Sequence, residues 1–195
     1  MNLEFMWRGG RLSLNFVATV GKWRTEAFER LPEPGDLARW FRDAGMINSL
    51  IPADAAELTD ARQLRAALWR ILSAGPSAAD VAVVDRWASM PLAGPHLDLV
   101  DGRILLRPTL SRVDDLLGLV ARDAAELLGG PLASRVRECA GQDCTLLFLD
   151  ESRGGSRRWC SMDGCGARSK MSNYRKRLTS PAETITENSR EQPCG

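Results

Sequence analysis

Apolar residues recur at three- and four-residue spacing through most of residues 1–134, and the exceptions mark where the backbone changes character. In "PEPGDLARWFRDAGM", Leu37, Trp40, Phe41 and Ala44 fall on one helical face, with Asp36 as a cap and Gly45 as a stop. "PADAAELTDARQLRAALWRILSAGP" predicts a longer helix with a stripe of Leu58, Ala61, Leu64, Leu68, Ile71 and Leu72, ended by Gly75-Pro76. "SAADVAVVDRWASM" sets Ser77 and Asp80 in capping-box-like positions ahead of Val81, Val84 and Trp87. In "SRVDDLLGLVARDAAELLGGP", Val113, Leu116, Leu117, Val120, Ala124, Leu127 and Leu128 share a side before Gly129-Gly130-Pro131 closes the helix. Two stretches break this rhythm. "GGRLSLNFVATV" alternates Leu12, Leu14 and Phe16 and then turns continuously apolar, which fits a strand or the start of a buried helix equally well. "PHLDLVDGRILLRP" places Asp101-Gly102 between two short apolar runs; that pair accepts the positive φ angles of a tight turn and predicts a hairpin.

These elements predict a mainly α fold with small β-hairpins. Residues 1–133 form a helical domain with a hairpin near 96–107, a smaller module occupies 134–178, and the polar tail 179–195 is expected to be disordered. The boundary falls at "GGPLAS", and no internal repeat is present. With 44% hydrophobic and 26% charged residues the 195-residue chain reads as soluble and globular. No apolar run approaches the roughly 18 residues of a membrane span. The N-terminus lacks a basic region followed by a continuous apolar segment, so a cytoplasmic location with reduced thiols is expected.

The candidate chemistry lies in "RECAGQDCTLLFLDESRGGSRRWCSMDGCGARSK", residues 137–170, which holds four of the five cysteines. Cys139, Cys144, Cys160 and Cys165 are spaced C-x4-C-x15-C-x4-C. Two close pairs separated by a loop suit one tetrahedral zinc ion, although two residues within each pair is the commoner gap. A disulfide framework is disfavoured by the reducing context, and an iron–sulfur or redox role and inert buried thiols are the remaining alternatives. Four thiolates close the coordination sphere, so the zinc would be structural rather than catalytic. "GQD" is turn-forming, "TLLFLD" has strand character and "GARSKMSNYRKRL" can be helical; knuckle, then helix-borne second pair, is the outline of a treble-clef-like finger. His96, the single histidine, and Cys194 receive no role. Trp159 is read as packing over the metal core, and Trp40, Trp69 and Trp87 as core residues at helical spacing.

Charge sharpens this picture only when divided along the chain. Residues 135–178 carry ten Lys and Arg against five Asp and Glu, whereas the flanking parts are slightly acidic. A zinc tetrathiolate holds roughly two negative charges, so part of this excess neutralises the site. A positive surplus remains and suits phosphate, with Arg157, Arg158, Arg168, Lys170, Arg175 and Lys176 as candidate DNA contacts.

"RECAGQDCTLLFLDESRGGSRRWCSMDGCGAR" closely resembles the CGNR zinc-finger module of bacterial proteins assigned to transcription regulation, through its knuckle, its "LFLD-S" strand, "RRWCSM" and the second C-x4-C. "GGRLSLNFVATV" and "PGDLARWFRDAGM" resemble the ABATE domain that precedes this finger, and the likeness spans most of residues 9–178. It implies a zinc-dependent DNA-binding finger on a helical domain with a stress-linked sensing role. Two departures stand out. Ala167 occupies the place of the family's asparagine, while Gly166 and Arg168 are kept; and Asn15 and Ala18 stand where the family tends to read Asp-Phe-x-x-Asn.

The expected function is therefore a zinc-dependent transcription regulator, not an enzyme. Its finger binds DNA, and its N-terminal domain senses an unidentified small-molecule effector or forms a homodimer. The alternative is a zinc-stabilised protein-interaction module without a DNA target. A small-molecule enzyme is the third reading, and no Ser/His/Asp set, phosphate loop or convergent carboxylate motif supports it.

Overall fold

The ambiguous first segment folds as a helix, α1 (Leu12–Val17), with Leu14, Phe16 and Val17 buried. It is a computed structural model that describes residues 4–92, 94, 96–107 and 110–179. Ahead of α1 the amide of Gly9 donates to Asn15 Oδ1 at 2.8 Å. A Cβ on Gly9 would lie 2.7 Å from Leu14 and 2.9 Å from Asn15, so the turn closes only around glycine. After α1 the chain makes a short antiparallel pair, β1 (Val20–Gly21) with β2 (Phe28–Glu29).

Three helices follow, and their starts are written in local chemistry. In α2 (Pro34–Asp43) the proline presets the first helical φ, and the amide of Glu33 donates to Asp36 Oδ2 at 3.3 Å. Asp36 thus sits at the third helical position and reaches back; the cap position expected for it belongs to Glu33. In α3 (Ala55–Ala74) Asp54 and Glu57 exchange backbone-to-carboxylate bonds of 2.8 Å, a reciprocal capping box. In α4 (Ala78–Ala88) the Ser77 hydroxyl accepts from the Asp80 amide. Val84 and Trp87 are buried as expected, but Val81 faces out. The expected hairpin forms as β3 (His96–Val100) and β4 (Arg103–Arg107), with Asp101 at φ 50° and Gly102 at φ 74° in its turn.

The long helix α5 (Val113–Gly129) is the centre of the fold, packing on α1, α3 and α4. Trp40, Phe16, Phe41, Leu64, Leu116 and Leu117 are fully buried, and Trp69 and Trp87 also lie inside, as their spacing predicts. Buried Arg65 on α3 pairs with half-buried Glu29 of β2. Arg65 donates from Nη1 to Thr19 Oγ1 at 2.8 Å and to Glu29 Oε1 at 2.7 Å.

A single turn (Ala133–Arg135) leads into β5 (Val136–Glu138), which pairs antiparallel with β6 (Leu147–Leu149). All three β6 residues are buried, to opposite sides. Leu147 and Leu149 belong to the helical core, while Phe148 faces the cysteines. Alternation along three residues therefore ties the C-terminal module to the helical domain through one strand. Polar contacts reinforce the seam: Leu149 N–H to Gly9 O at 2.8 Å, Trp23 N–H to Thr145 Oγ1 at 2.9 Å, and a bidentate Arg24–Glu138 pair at 2.9 and 2.8 Å. The last helix, α6 (Ala167–Thr179), runs from the second cysteine pair; the tail 180–195, with Cys194, lies outside the described residues. The fold is mainly α with three small antiparallel strand pairs, as the sequence predicts. Among the described residues no helix is long and apolar enough to cross a membrane.

Candidate functional site

The hairpin β5–β6 ends in the first cysteine pair. The Cys139 amide donates to Leu146 O at 2.9 Å, the Cys144 amide to Gly141 O at 3.1 Å, and Asp143 takes φ 59°, so the chain reverses within four residues. Gly141 sits against the opposing pair: a Cβ there would lie 3.0 Å from both Cys165 Cβ and Cys165 Sγ. The second pair uses a wider turn. Ser161 caps it by accepting from the Gly164 amide at 3.0 Å, and the Gly166 amide donates to Ser161 O at 3.0 Å, a π-helical turn over Met162–Gly166 that continues into α6. That i to i+5 closure brings Cys160 and Cys165 together and accounts for four intervening residues where two are usual.

The four sulfurs lie within 4.8 Å of one another, with Cys144 to Cys160 at 4.0 Å and Cys160 to Cys165 at 3.8 Å. A tetrahedral zinc bound at about 2.3 Å sets sulfur–sulfur edges of about 3.8 Å, so the donor set fits that ion. All four are free thiols; Cys139, Cys160 and Cys165 are buried and Cys144 is half-buried. Three of the close-packed sulfurs, Cys139, Cys144 and Cys160, divide their protons unequally. Hydrogen bonds from Cys144 and Cys160 hold Cys139 far below the usual thiol range. The same contacts push Cys144 up to about 11 and Cys160 higher still. Thiol ligands bind a divalent cation in their deprotonated, anionic form, so binding releases the protons these sulfurs share. Protein groups already complement that charge: the Cys160 amide donates to Cys139 Sγ at 3.3 Å, and Arg168 Nη2 to Cys165 Sγ at 3.0 Å. Phe148 and Trp159 supply the apolar backing, the role expected for Trp159.

The loop between the pairs is organised by Asp150, a buried carboxylate that the sequence reading passed over. It accepts from Ser152 N at 3.0 Å, Ser152 Oγ at 2.6 Å and Arg157 N at 2.9 Å. The Ser152 hydroxyl chiefly holds its pKa below the ordinary carboxylate value. Arg135 brackets the same loop by donating to the carbonyls of Asp150 and Ser152. The signal was present in the spacing of Asp150 and Ser152, an aspartate followed by a hydroxyl two residues on, which is a local turn motif.

Of the six basic residues read as DNA contacts, the five whose side chains are described are used in different ways. Arg157 folds back, donating to Trp159 O at 2.9 Å and to Cys160 O, with its guanidinium 4.7 Å from the Phe148 ring centre. Arg158 lies over Trp159 at 5.1 Å. Arg168 is turned to Cys165, and Lys170, about 200° further round α6, points to another side of the helix. Lys170 and Arg175 are exposed; the Lys176 side chain lies outside the described residues. Arg153, in the loop, is exposed and makes no ion pair or hydrogen bond among the described residues, and Lys170 is likewise free. Arg8 joins this region from the other end of the chain, its Nη1 2.9 Å from where a Cβ on Gly164 would stand. Nothing local in the sequence marks Arg8. Of the two departures, Ala167 is an exposed residue at the start of α6, directly after the turn that Ser161 caps. Asn15 holds the Gly9 turn, and the Ala18 carbonyl accepts from Arg30 at 2.9 Å.

A second concavity lies where the helical domain meets β5. It encloses about 530 Å³ between α3, α4 and α5, with Leu72, Val84, Leu128 and Val136 as apolar walls and Asp85 as the one charge.

Comparison with known proteins agrees with this architecture. Residues 10–131 match the ABATE family model, described as "Putative stress-induced transcription regulator", and residues 135–178 match the model of the CGNR zinc finger. No curated protein matches the chain. The four clustered cysteines within that finger are the site of one structural zinc ion.

Proposed function

This chain belongs to the ABATE family and ends in a CGNR zinc finger, and from that premise we propose that it is a zinc-dependent DNA-binding transcription regulator. The observation that carries the reading is the fate of the charges in the finger. Glu138 is neutralised by Arg24 and Asp150 is consumed inside the loop, so neither offsets the exposed cations. Arg153, Arg158, Lys170 and Arg175 remain on the surface of a module whose shape the zinc fixes. Exposed guanidinium and ammonium groups are what phosphate recognition uses.

Arg157 and Arg168 have a different part in this reading. Their guanidiniums are spent on carbonyls and on a ligand sulfur, so they position the finger instead of contacting DNA. The zinc, when bound, supplies a fourfold cross-link whose binding energy is folding energy for the module. The effector of the N-terminal domain is a small apolar molecule seated in the cleft beside Val136, whose strand leads directly to Cys139. A zinc-stabilised protein-interaction module is the second reading, favoured by the same internal use of Arg157 and Arg168. Neither family is an enzyme family, in line with the absence of a catalytic motif in the sequence.

Sequencing of DNA that co-purifies with the native protein and with Cys160→Ser separates the readings. Enrichment of discrete fragments by the native protein alone supports the proposal. No enrichment with zinc intact leaves the interaction module.

A further inference from the structure

The cleft between α3, α4 and α5 has apolar walls but a one-sided charge. Its volume of about 530 Å³ is that of a small-molecule site. Asp85, on α4, is the one charged side chain in its lining, and its carboxylate accepts no hydrogen bond and joins no ion pair among the described residues. The cations of the surrounding elements are committed elsewhere. Arg70 pairs with Asp80 at 2.5 Å and Arg86 with Asp60 at 3.8 Å. Arg122 donates to the carbonyls of Ala88 and Met90, and Arg135 to those of Asp150 and Ser152. The backbone adds to the imbalance. Leu72 and Pro76 come from the carboxyl end of α3, and Leu128 and Gly129 from that of α5. A last helical turn leaves carbonyls without intrahelical partners and carries the negative end of the helix dipole. Neither of these two turns has the basic residue that commonly sits there. Pro76 and Pro131, four residues after Leu72 and Leu127, have no N–H to offer those carbonyls. The amino end of α4, beside Val81, is already capped by the Ser77 hydroxyl, with Asp80 in its first turn.

We propose that this cleft takes an amphiphilic organic cation. The apolar body of such a molecule packs against Leu72, Val84, Leu128 and Val136, and its ammonium group is held by the Asp85 carboxylate near the carboxyl ends of α3 and α5. A neutral apolar molecule leaves that carboxylate without a counter-charge. An anionic one meets the carboxylate and two negative helix ends with like charge. The inference rests on the reading of the cleft as the effector site of the N-terminal domain, and it adds the chemical class of the effector.

Calorimetric titration of the full zinc-loaded chain with octylamine, octanol and octanoate tests it, because the three share one apolar chain and differ in the charge at its end. At neutral pH the amine is protonated and the acid ionised. Octylamine is expected to bind at least about tenfold tighter than octanol, and octanoate more weakly than either. Asp85→Asn lowers octylamine affinity at least about fivefold and leaves octanol unchanged. Glu26→Gln, the same change of charge at an exposed residue outside the cleft, preserves the preference for the amine. Val81→Trp, which places a large ring on the half-exposed rim of the cleft, weakens all three ligands. Equal binding of octylamine and octanol, both lost in Val81→Trp, overturns the cation and keeps the cleft as an apolar effector site. Octylamine binding that ignores Asp85→Asn and Val81→Trp, or no binding by any of the three, overturns the proposal together with that reading of the cleft. DNA capture is scored on protein without these ligands, so its failure is a separate result.

Discussion

The amide of Leu149 donates to the carbonyl of Gly9 across 2.8 Å, joining the strand behind the cysteine cluster to the turn that opens the helical domain. A side chain at Gly10 would meet Leu149 Cβ at 3.4 Å, so the two segments run in close contact. With Leu147 and Leu149 in the helical core and Phe148 against the sulfurs, metal binding and domain stability are mechanically coupled.

Chelation of the zinc is therefore expected to lower the main unfolding transition of the whole chain, beyond melting the finger. Leu149→Ala should cost about 2–5 kcal/mol in the same transition, as for other fully buried leucines. Denaturant titration followed by helical circular dichroism, with and without chelator, measures both. A transition that ignores chelator would show that the two parts are independent.

Arg168 is expected to act on the metal. Removing a group hydrogen-bonded to a ligand sulfur weakens metal affinity about 10–100-fold. Arg168→Ala should lose zinc correspondingly faster to a chromophoric chelator, and Arg168→Lys, which keeps the charge but not the geometry, should fall between.

Gly141→Ala tests the closeness of the two cysteine pairs. The added methyl would stand 3.0 Å from Cys165 Sγ and 3.3 Å from Cys144 Cβ, so one sulfur has to move. Reduced zinc affinity with unchanged helix content is the expected result, read by competition with the same chelator.

The loop carboxylate predicts a pH dependence. Asp150 has a depressed pKa in the folded protein, chiefly through the Ser152 hydroxyl, so its stabilisation is present above its unfolded pKa of about 3.9 and is lost as pH falls through the lower folded value. Asp150→Asn should lower Tm most near neutrality, and the gap to the native protein should close below about pH 4. Zinc content measured at each pH separates titration of Asp150 from acid release of the metal.

Salt dependence of DNA binding distinguishes the free cations from the folded-back ones. Lys170→Ala and Arg153→Ala are each expected to reduce the log–log slope by about 1, with zinc retention unchanged. Arg157→Ala should instead loosen the finger, since its guanidinium holds the Trp159 and Cys160 carbonyls over Phe148. Equal slope changes in all three would mean that Arg157 also reaches phosphate.

The helices, the Asp101-Gly102 hairpin and the metal ligands were legible because each rests on short-range chemistry. Capping pairs such as Ser77 and Asp80, the 3.6-residue stripe of α5 and paired cysteines on tight turns are set by neighbours within a few positions. The strand-or-helix ambiguity of residues 9–20 was not resolvable locally, because a short apolar run satisfies both periods until its packing partners are known. The use of each arginine depended on the folded conformation of the loop and helix, even where its partner lies only two or three residues away. Arg157 and Lys170 are equally basic in the sequence, and only the folded chain turns one onto carbonyls and leaves the other in water. The same holds for Arg8 beside Gly164 and for the β6 strand shared between core and cysteines. Sequence by itself determined which groups bind the metal, because coordination demands particular atoms at particular spacings. What the finger rests on depended on contacts between residues more than a hundred positions apart, such as Arg24 with Glu138 and Trp23 with Thr145, and those exist only once the core has formed.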